Sequence, residues 1–176
     1  MLDPVLYWAI ALCLALLWSS SAWDKLQAPV HFSASLAAYK LIPASLQGPV
    51  SRCLPWFEIA IATGLLVPAC QRLAASAGAL LLLLYAAAMG LNLLRGRADI
   101  DCGCNPGHYQ RISWLLVARN LLLCTLSLGL LLPSVDRVPE WGDAALVLLA
   151  SGFGCTVYLF TMSVMLERDS SHHTVD

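Results

Sequence analysis

Charge is what this sequence has least of. Only 12% of its 176 residues are charged, and 59% are apolar, giving a mean hydropathy of +0.72. A soluble domain carries roughly 25% charged residues. Half that amount cannot cover a water-facing surface, which excludes a soluble globular protein and a disordered one. A basic excess is lacking too: ten Lys and Arg stand against eleven Asp and Glu, so there is no cationic face for nucleic acid. No Gly-rich phosphate loop, Ser-His-Asp order or hydrolytic carboxylate pair is present. Before the first apolar stretch stand Asp3 and Pro4 rather than basic residues, so that stretch reads as a retained helix and not as a cleaved signal.

What the chain does have is long apolar runs. At about 20 residues per crossing, its length suits four or five membrane helices. The runs are continuous rather than alternating, which disfavours a β-barrel. The expectation is one all-α membrane domain over 1–176, a polytopic bundle with four to five transmembrane helices. Its spans fall at about 4–23, 54–67, 73–94, 112–132 and 142–166, with a cysteine loop at 95–111. Pro4 and Pro55 suit first helical turns, and Pro68 ends the second span. The spacing of Phe32, Leu36 and Tyr39 predicts a short helix between Pro29 and Pro43, lying on the membrane surface or capping the bundle. Small residues such as Ala74, Ser76, Ala77 and Gly78 allow close helix approach.

Five spans put the termini on opposite sides. Arg72 and Arg137 then share the side of the amino terminus, while Lys25, Lys40, Arg52, Arg95, Arg97, Arg111 and Arg168 share the other. The positive-inside rule places the amino terminus outside and the cysteine loop in the cytoplasm.

Two charges fall inside spans, Glu58 and Arg119. Each alone in lipid costs roughly 2.5–3.5 kcal/mol on insertion scales. Both are expected to face inward and to pair, with Asn92, Asn120, Asp24 and Lys25 completing a polar cluster. That cluster is either a structural ion pair or a pocket beside a reactive centre.

Seven cysteines are present. Cys13, Cys124 and Cys155 lie in mid-span, where cysteine packs as a small hydrophobe. Cys102 and Cys104 lie in a polar loop with Gly103 between them. Two nearby thiols permit attack by one and resolution by the other. A disulfide across one residue is strained, so Cys53 is an alternative partner. Asp99 and Asp101 oppose thiolate formation, while Arg95, Arg97 and Arg111 favour it. Zinc or copper on Cys102, Cys104 and His108, with Cys53 or His31 as a fourth ligand, is the rival reading. A structural disulfide is another. The catalytic candidates are Cys102, Cys104 and Cys53; no metal site and no bound cofactor are expected.

Several stretches resemble the methylamine utilization protein family MauE, within the wider DoxX-like group. They are Ser20–Leu26, Tyr39–Pro43, Leu54-Pro55 with Glu58, Gly64-Leu65-Leu66, Asn92–Gly96, Asp101-Cys102-Gly103-Cys104, and Ile112-Ser113 through Arg119-Asn120. One departure is Asn105-Pro106-Gly107 after Cys104, where the family carries an aromatic residue followed by glycine. The resemblance implies a multi-pass protein of the bacterial inner membrane with an accessory role in making methylamine dehydrogenase. It implies a thioredoxin-like periplasmic partner, the dehydrogenase's small subunit as the protein matured, and thiol–disulfide chemistry in forming or correcting its disulfides. A non-catalytic assembly scaffold and a small metal-handling or transport protein are the alternatives. A periplasmic substrate conflicts with a cytoplasmic cysteine loop. Three ways out exist: an electron relay across the bilayer through intramembrane cysteines or a quinone, a loop folded back into the bundle, or a different topology.

Overall fold

The computed structural model describes residues 3–103, 110–132 and 142–156, apart from 144, 153 and 155. The described part is a bundle of α-helices. In chain order these are α1 (Pro4–Gln27), α2 (Pro29–Ala38), α3 (Ala44–Leu66), α4 (Gln71–Leu94) and α5 (Trp114–Gly129). Further helical residues lie between 142 and 156.

Local chemistry sets the ends. Asp3 caps α1 by accepting the Val5 N–H at 2.9 Å, with Pro4 in the first turn. Pro29 opens α2, and Ser113 caps α5. Helix α3 starts at Ala44, well ahead of the span expected from Leu54. It carries both Pro49 and Pro55 inside it. Each proline removes one backbone donor and leaves one carbonyl without its usual helical bond. Here tertiary packing overrides that cost, since Pro55 is fully buried.

Two helices, α1 and α4, are long and apolar enough to cross a membrane. Each has 24 residues and is about 36 Å long. Helix α5 is apolar but shorter. Four or five crossings are therefore not all visible as long apolar helices among the described residues. The outward faces are apolar as well. Leu73 and Leu94 of α4 are 74% and 76% exposed, and Leu80, Leu83 and Leu84 are exposed between them. An apolar strip of that length suits lipid rather than water.

The interior is closed by small residues on α4. Ala74, Ala75, Gly78 and Ala79 are buried there. A Cβ on Gly78 would lie 3.3 Å from Ile61 of α3, 3.3 Å from the Trp18 ring of α1 and 3.5 Å from Ser127 of α5. Three helices thus converge on one glycine. Ser127 donates to the Ala75 carbonyl at 2.9 Å, and the Cys124 thiol donates to that of Ala79 at 3.4 Å. Cys13 similarly donates to the Ser151 carbonyl at 3.5 Å. These two mid-span cysteines are packed against backbone; Cys155 lies outside the described residues. Helix α1 packs chiefly on α3, and α5 chiefly on α4, while α3 and α5 share no face.

Candidate functional site: a cysteine hairpin over a polar cavity

The chain between α4 and α5 turns back on itself. The Cys102 N–H donates to the Gln110 carbonyl at 2.8 Å, and the Ile112 N–H to that of Ile100 at 3.0 Å. Asp101 and Arg111 face each other as an antiparallel bridge. Ile100 and Ile112 seat this hairpin on Met89 of α4 and Leu116 of α5 in a small apolar cluster.

Helix α2 holds the hairpin from the other side. The Asp101 carboxylate is buried. It accepts the Ser35 hydroxyl at 3.2 Å and the Gln110 N–H at 3.0 Å, and lies 3.2 Å from His31 Nε2. His31 and Ser35 are one helical turn apart, so α2 presents both to one carboxylate. Gly103 has φ +70°, and a Cβ there would lie 3.0 Å from the Ser35 Cβ. Both conformation and contact demand glycine at this point.

Arg97 ties down the far end of α2. It donates to the Ala38 carbonyl at 2.8 Å and is itself held by Asn92 Oδ1 at 3.0 Å. Asn92, expected in the polar cluster, is fully buried and instead positions Arg97. Arg111 lies 3.4 Å from Asp99.

Beneath the hairpin is a cavity of about 280 Å³ between α1, α2, α4 and α5. Cys102, Asp24, Lys25, Arg119 and Asn120 all line it. Aromatic walls come from Trp18, Phe32, Tyr39 and Tyr85. The structure thus gathers five of the expected site residues in one place. Cys53 is exposed on α3 and does not line the cavity. Cys104 and His108 lie outside the described residues, and with them the Cys102–Cys104 pair and the metal alternative.

The ion pair differs from expectation. Glu58 is 0% exposed, and its partner is Lys25, 5% exposed, at 2.7 and 2.9 Å to the two carboxylate oxygens. Arg119 is not its partner, because α5 does not touch α3, whereas α1 lies along it. Glu58 also accepts the Tyr85 hydroxyl at 2.7 Å and that of Ser21 at 3.4 Å. Lys25 completes its three donors on Ser21 at 2.6 Å. Its ammonium also stands 5.4 Å from the Phe32 ring and 5.5 Å from that of Tyr85. Three helices are thereby joined by one satisfied cluster.

Sequence reasoning missed Ser21, Tyr85 and Ser35; it weighed Arg97 only as a cation favouring the thiolate and His31 only as a metal ligand. The i, i+4 spacings of Ser21 with Lys25 and of His31 with Ser35 were the available signals.

Fold and site together define a small helical bundle of membrane character, with one cysteine held on a hairpin above a polar cavity. The family model described as methylamine utilisation protein MauE matches residues 3–133. The chain belongs to the MauE family. It is similar to the methylamine utilization protein MauE of Paracoccus denitrificans, at 38% identity over 161 residues, 90% of this chain and 87% of that one. The corresponding protein of Methylophilus methylotrophus is 32% identical over 176 residues, 99% and 93% of the two chains. That of Paracoccus versutus is 38% identical over 167 residues, 93% and 88%. No solved structure matches.

Proposed function

We propose that this chain serves methylamine utilization as a multi-pass inner-membrane accessory that matures methylamine dehydrogenase by thiol–disulfide exchange. The relatives named for methylamine utilization support the pathway. The observation that carries the chemistry is the placement of Cys102. It is half-buried, fixed by a hairpin and by α2, and faces a cavity that also holds Arg119 and Asp24. A thiol kept for packing needs neither a left-handed glycine pressed against Ser35 beside it nor a buried carboxylate to anchor its loop.

In this reading a thioredoxin-like periplasmic partner carries electrons from the thiols of the dehydrogenase's small subunit. Its dithiol attacks the Cys102–Cys104 disulfide. One S–S bond breaks and another forms, and two electrons and two protons pass to this chain. The hairpin's position supports a loop folded back on the bundle, which makes the sulfur of Cys102 part of a cavity wall rather than of a free cytoplasmic loop. The length of α3, 23 residues, and the apolar character of the shorter α5 support further crossings beyond α1 and α4.

The test is maturation in cells that make the dehydrogenase. Cys102→Ser and Cys104→Ser are each expected to leave the small subunit with unformed or mispaired disulfides, while this chain still accumulates in the membrane. Full maturation in both variants would reject the chemistry and favour a scaffold.

A further inference from the structure

Three cations lie near Cys102 in the sequence: Arg95, Arg97 and Arg111. Arg95 is exposed. Arg97 binds the Ala38 carbonyl and Asn92, and Arg111 lies 3.4 Å from Asp99. A neutral amide, that of Gln110, is set against the sulfur. The bonds flanking the Asp101–Arg111 bridge make Cys102 and Gln110 directly opposed residues. Opposed residues of an antiparallel pair carry their side chains on one face. The Cys102 thiol accordingly donates to Gln110 Oε1 at 3.9 Å, and the Cys102 N–H to the Gln110 carbonyl at 2.8 Å. Gln110 is 2% exposed, and its own N–H is fixed on the buried Asp101 carboxylate at 3.0 Å. Burying an amide is unfavourable unless it is hydrogen-bonded, so packing alone would favour an apolar residue here.

The amide suits both states of the sulfur. Its carbonyl accepts from the thiol. A half-turn of the amide puts an N–H in the same place, where it donates to a thiolate. A hydrogen bond to an ionised group is about twice as strong as one between neutral groups, so the amide favours the thiolate. The Asp101 carboxylate, next in the chain, works against it. The charged groups around the same cavity are Asp24 and Lys25 of α1, Glu58 of α3 on Lys25, and Arg119 of α5. His31 of α2 stands against Asp101, and Tyr39 and Tyr85 are the phenols of the cavity wall. All of these stay in place when Gln110 alone is replaced, so a changed titration of Cys102 reports the amide.

We infer that Gln110 is a positioning residue that stabilises the Cys102 sulfur as a thiolate when that sulfur leaves a disulfide. The inference rests on the redox reading of Cys102 given above. The step balances. A partner's thiolate attacks the other sulfur of the disulfide and bonds to it. The S–S bond to Cys102 breaks, and its electron pair stays on Cys102, which later takes a proton from water. A sulfur that is more stable as a thiolate leaves faster.

The experiment alkylates the reduced full chain in nanodiscs with iodoacetamide over a range of pH. Tandem mass spectrometry follows Cys102, with the exposed Cys53 as internal reference. Gln110→Met keeps the length of the side chain and removes the donor. Its midpoint for Cys102 is expected to rise by about one to two pH units. Gln110→Glu sets a carboxylate against the sulfur, and its midpoint is expected to rise at least as far. Cys53 keeps its midpoint in both. Midpoints for Cys102 that stay at the wild-type value overturn the inference. So does a change confined to the alkaline plateau rate, because that reports access to the sulfur rather than its ionisation. Gln110→Glu matches the native side chain in size, so its unmoved midpoint overturns the inference even where Gln110→Met does not accumulate. Maturation in cells separates this inference from the redox reading. If Cys102→Ser blocks maturation while the midpoints stay put, the exchange chemistry stands and Gln110 has no part in it. Full maturation in Cys102→Ser removes the role of the thiolate together with the redox reading.

Discussion

Replacing Lys25 tests the organisation of the bundle most sharply. Its ammonium lies 2.7 and 2.9 Å from the oxygens of a carboxylate that is 0% exposed. At an effective dielectric near 20, two unit charges about 4 Å apart attract by about 4 kcal/mol. Breaking a buried pair by removing one partner costs about 3–5 kcal/mol, because the remaining charge is left without compensation. Lys25→Met keeps the stem and removes the charge. Glu58 then retains only the hydroxyls of Tyr85 and Ser21. The expected loss is therefore about 3–5 kcal/mol. Glu58→Met strands the ammonium and should cost a similar amount. The double variant removes both charges and should recover most of the loss, since a well-packed apolar pair often replaces a buried ion pair without penalty. Reversible denaturant unfolding in mixed micelles, run as a double-mutant cycle, measures this. Single losses below about 1 kcal/mol that add in the double variant would refute the reasoning, because that is how an exposed pair behaves.

Gly103→Ala should strain a backbone at φ +70° and push on Ser35, at a cost of about 1–2 kcal/mol. Its expected signature is faster maleimide labelling of Cys102 in the purified chain. Gly64→Ala should destabilise the α3–α4 hairpin by about 1–3 kcal/mol, because the new Cβ would lie 2.8 Å from that of Ala74. Adding Ala74→Gly should restore stability in thermal unfolding. Arg97→Met removes the donor to the Ala38 carbonyl and leaves Asn92 buried without that partner. It should cost about 1–3 kcal/mol and raise hydrogen exchange selectively in the last turn of α2.

Much of the bundle can be read from apolar runs and punctuation. Pro4, Pro29 and Pro68 mark helix boundaries correctly because proline's missing donor is harmless in a first turn and after a last one. The same rule misplaces the start of α3. Pro49 and Pro55 signal a boundary locally, yet packing carries the helix through both. The site was half legible. Cys102, Glu58, Lys25, Arg119 and Asn120 stand out because charge, amide and thiol are rare in apolar surroundings. Which charges pair depends on which helices touch, and no residue spacing reports that α1 rather than α5 lies along α3. The hairpin anchor was illegible for another reason. Ser35 and Asp101 are ordinary polar residues 66 positions apart, and no local spacing reports that α2 packs against the hairpin.

The central claim is that Cys102 cycles between thiol and disulfide at a defined face of the membrane. The most direct measurement is trapping with a large, membrane-impermeant maleimide in intact cells and in inverted membrane vesicles, with and without prior reduction. Cys102 is expected to label only after reduction, and more slowly than the exposed Cys53. Complete labelling of Cys102 without reduction, from either side, would contradict it.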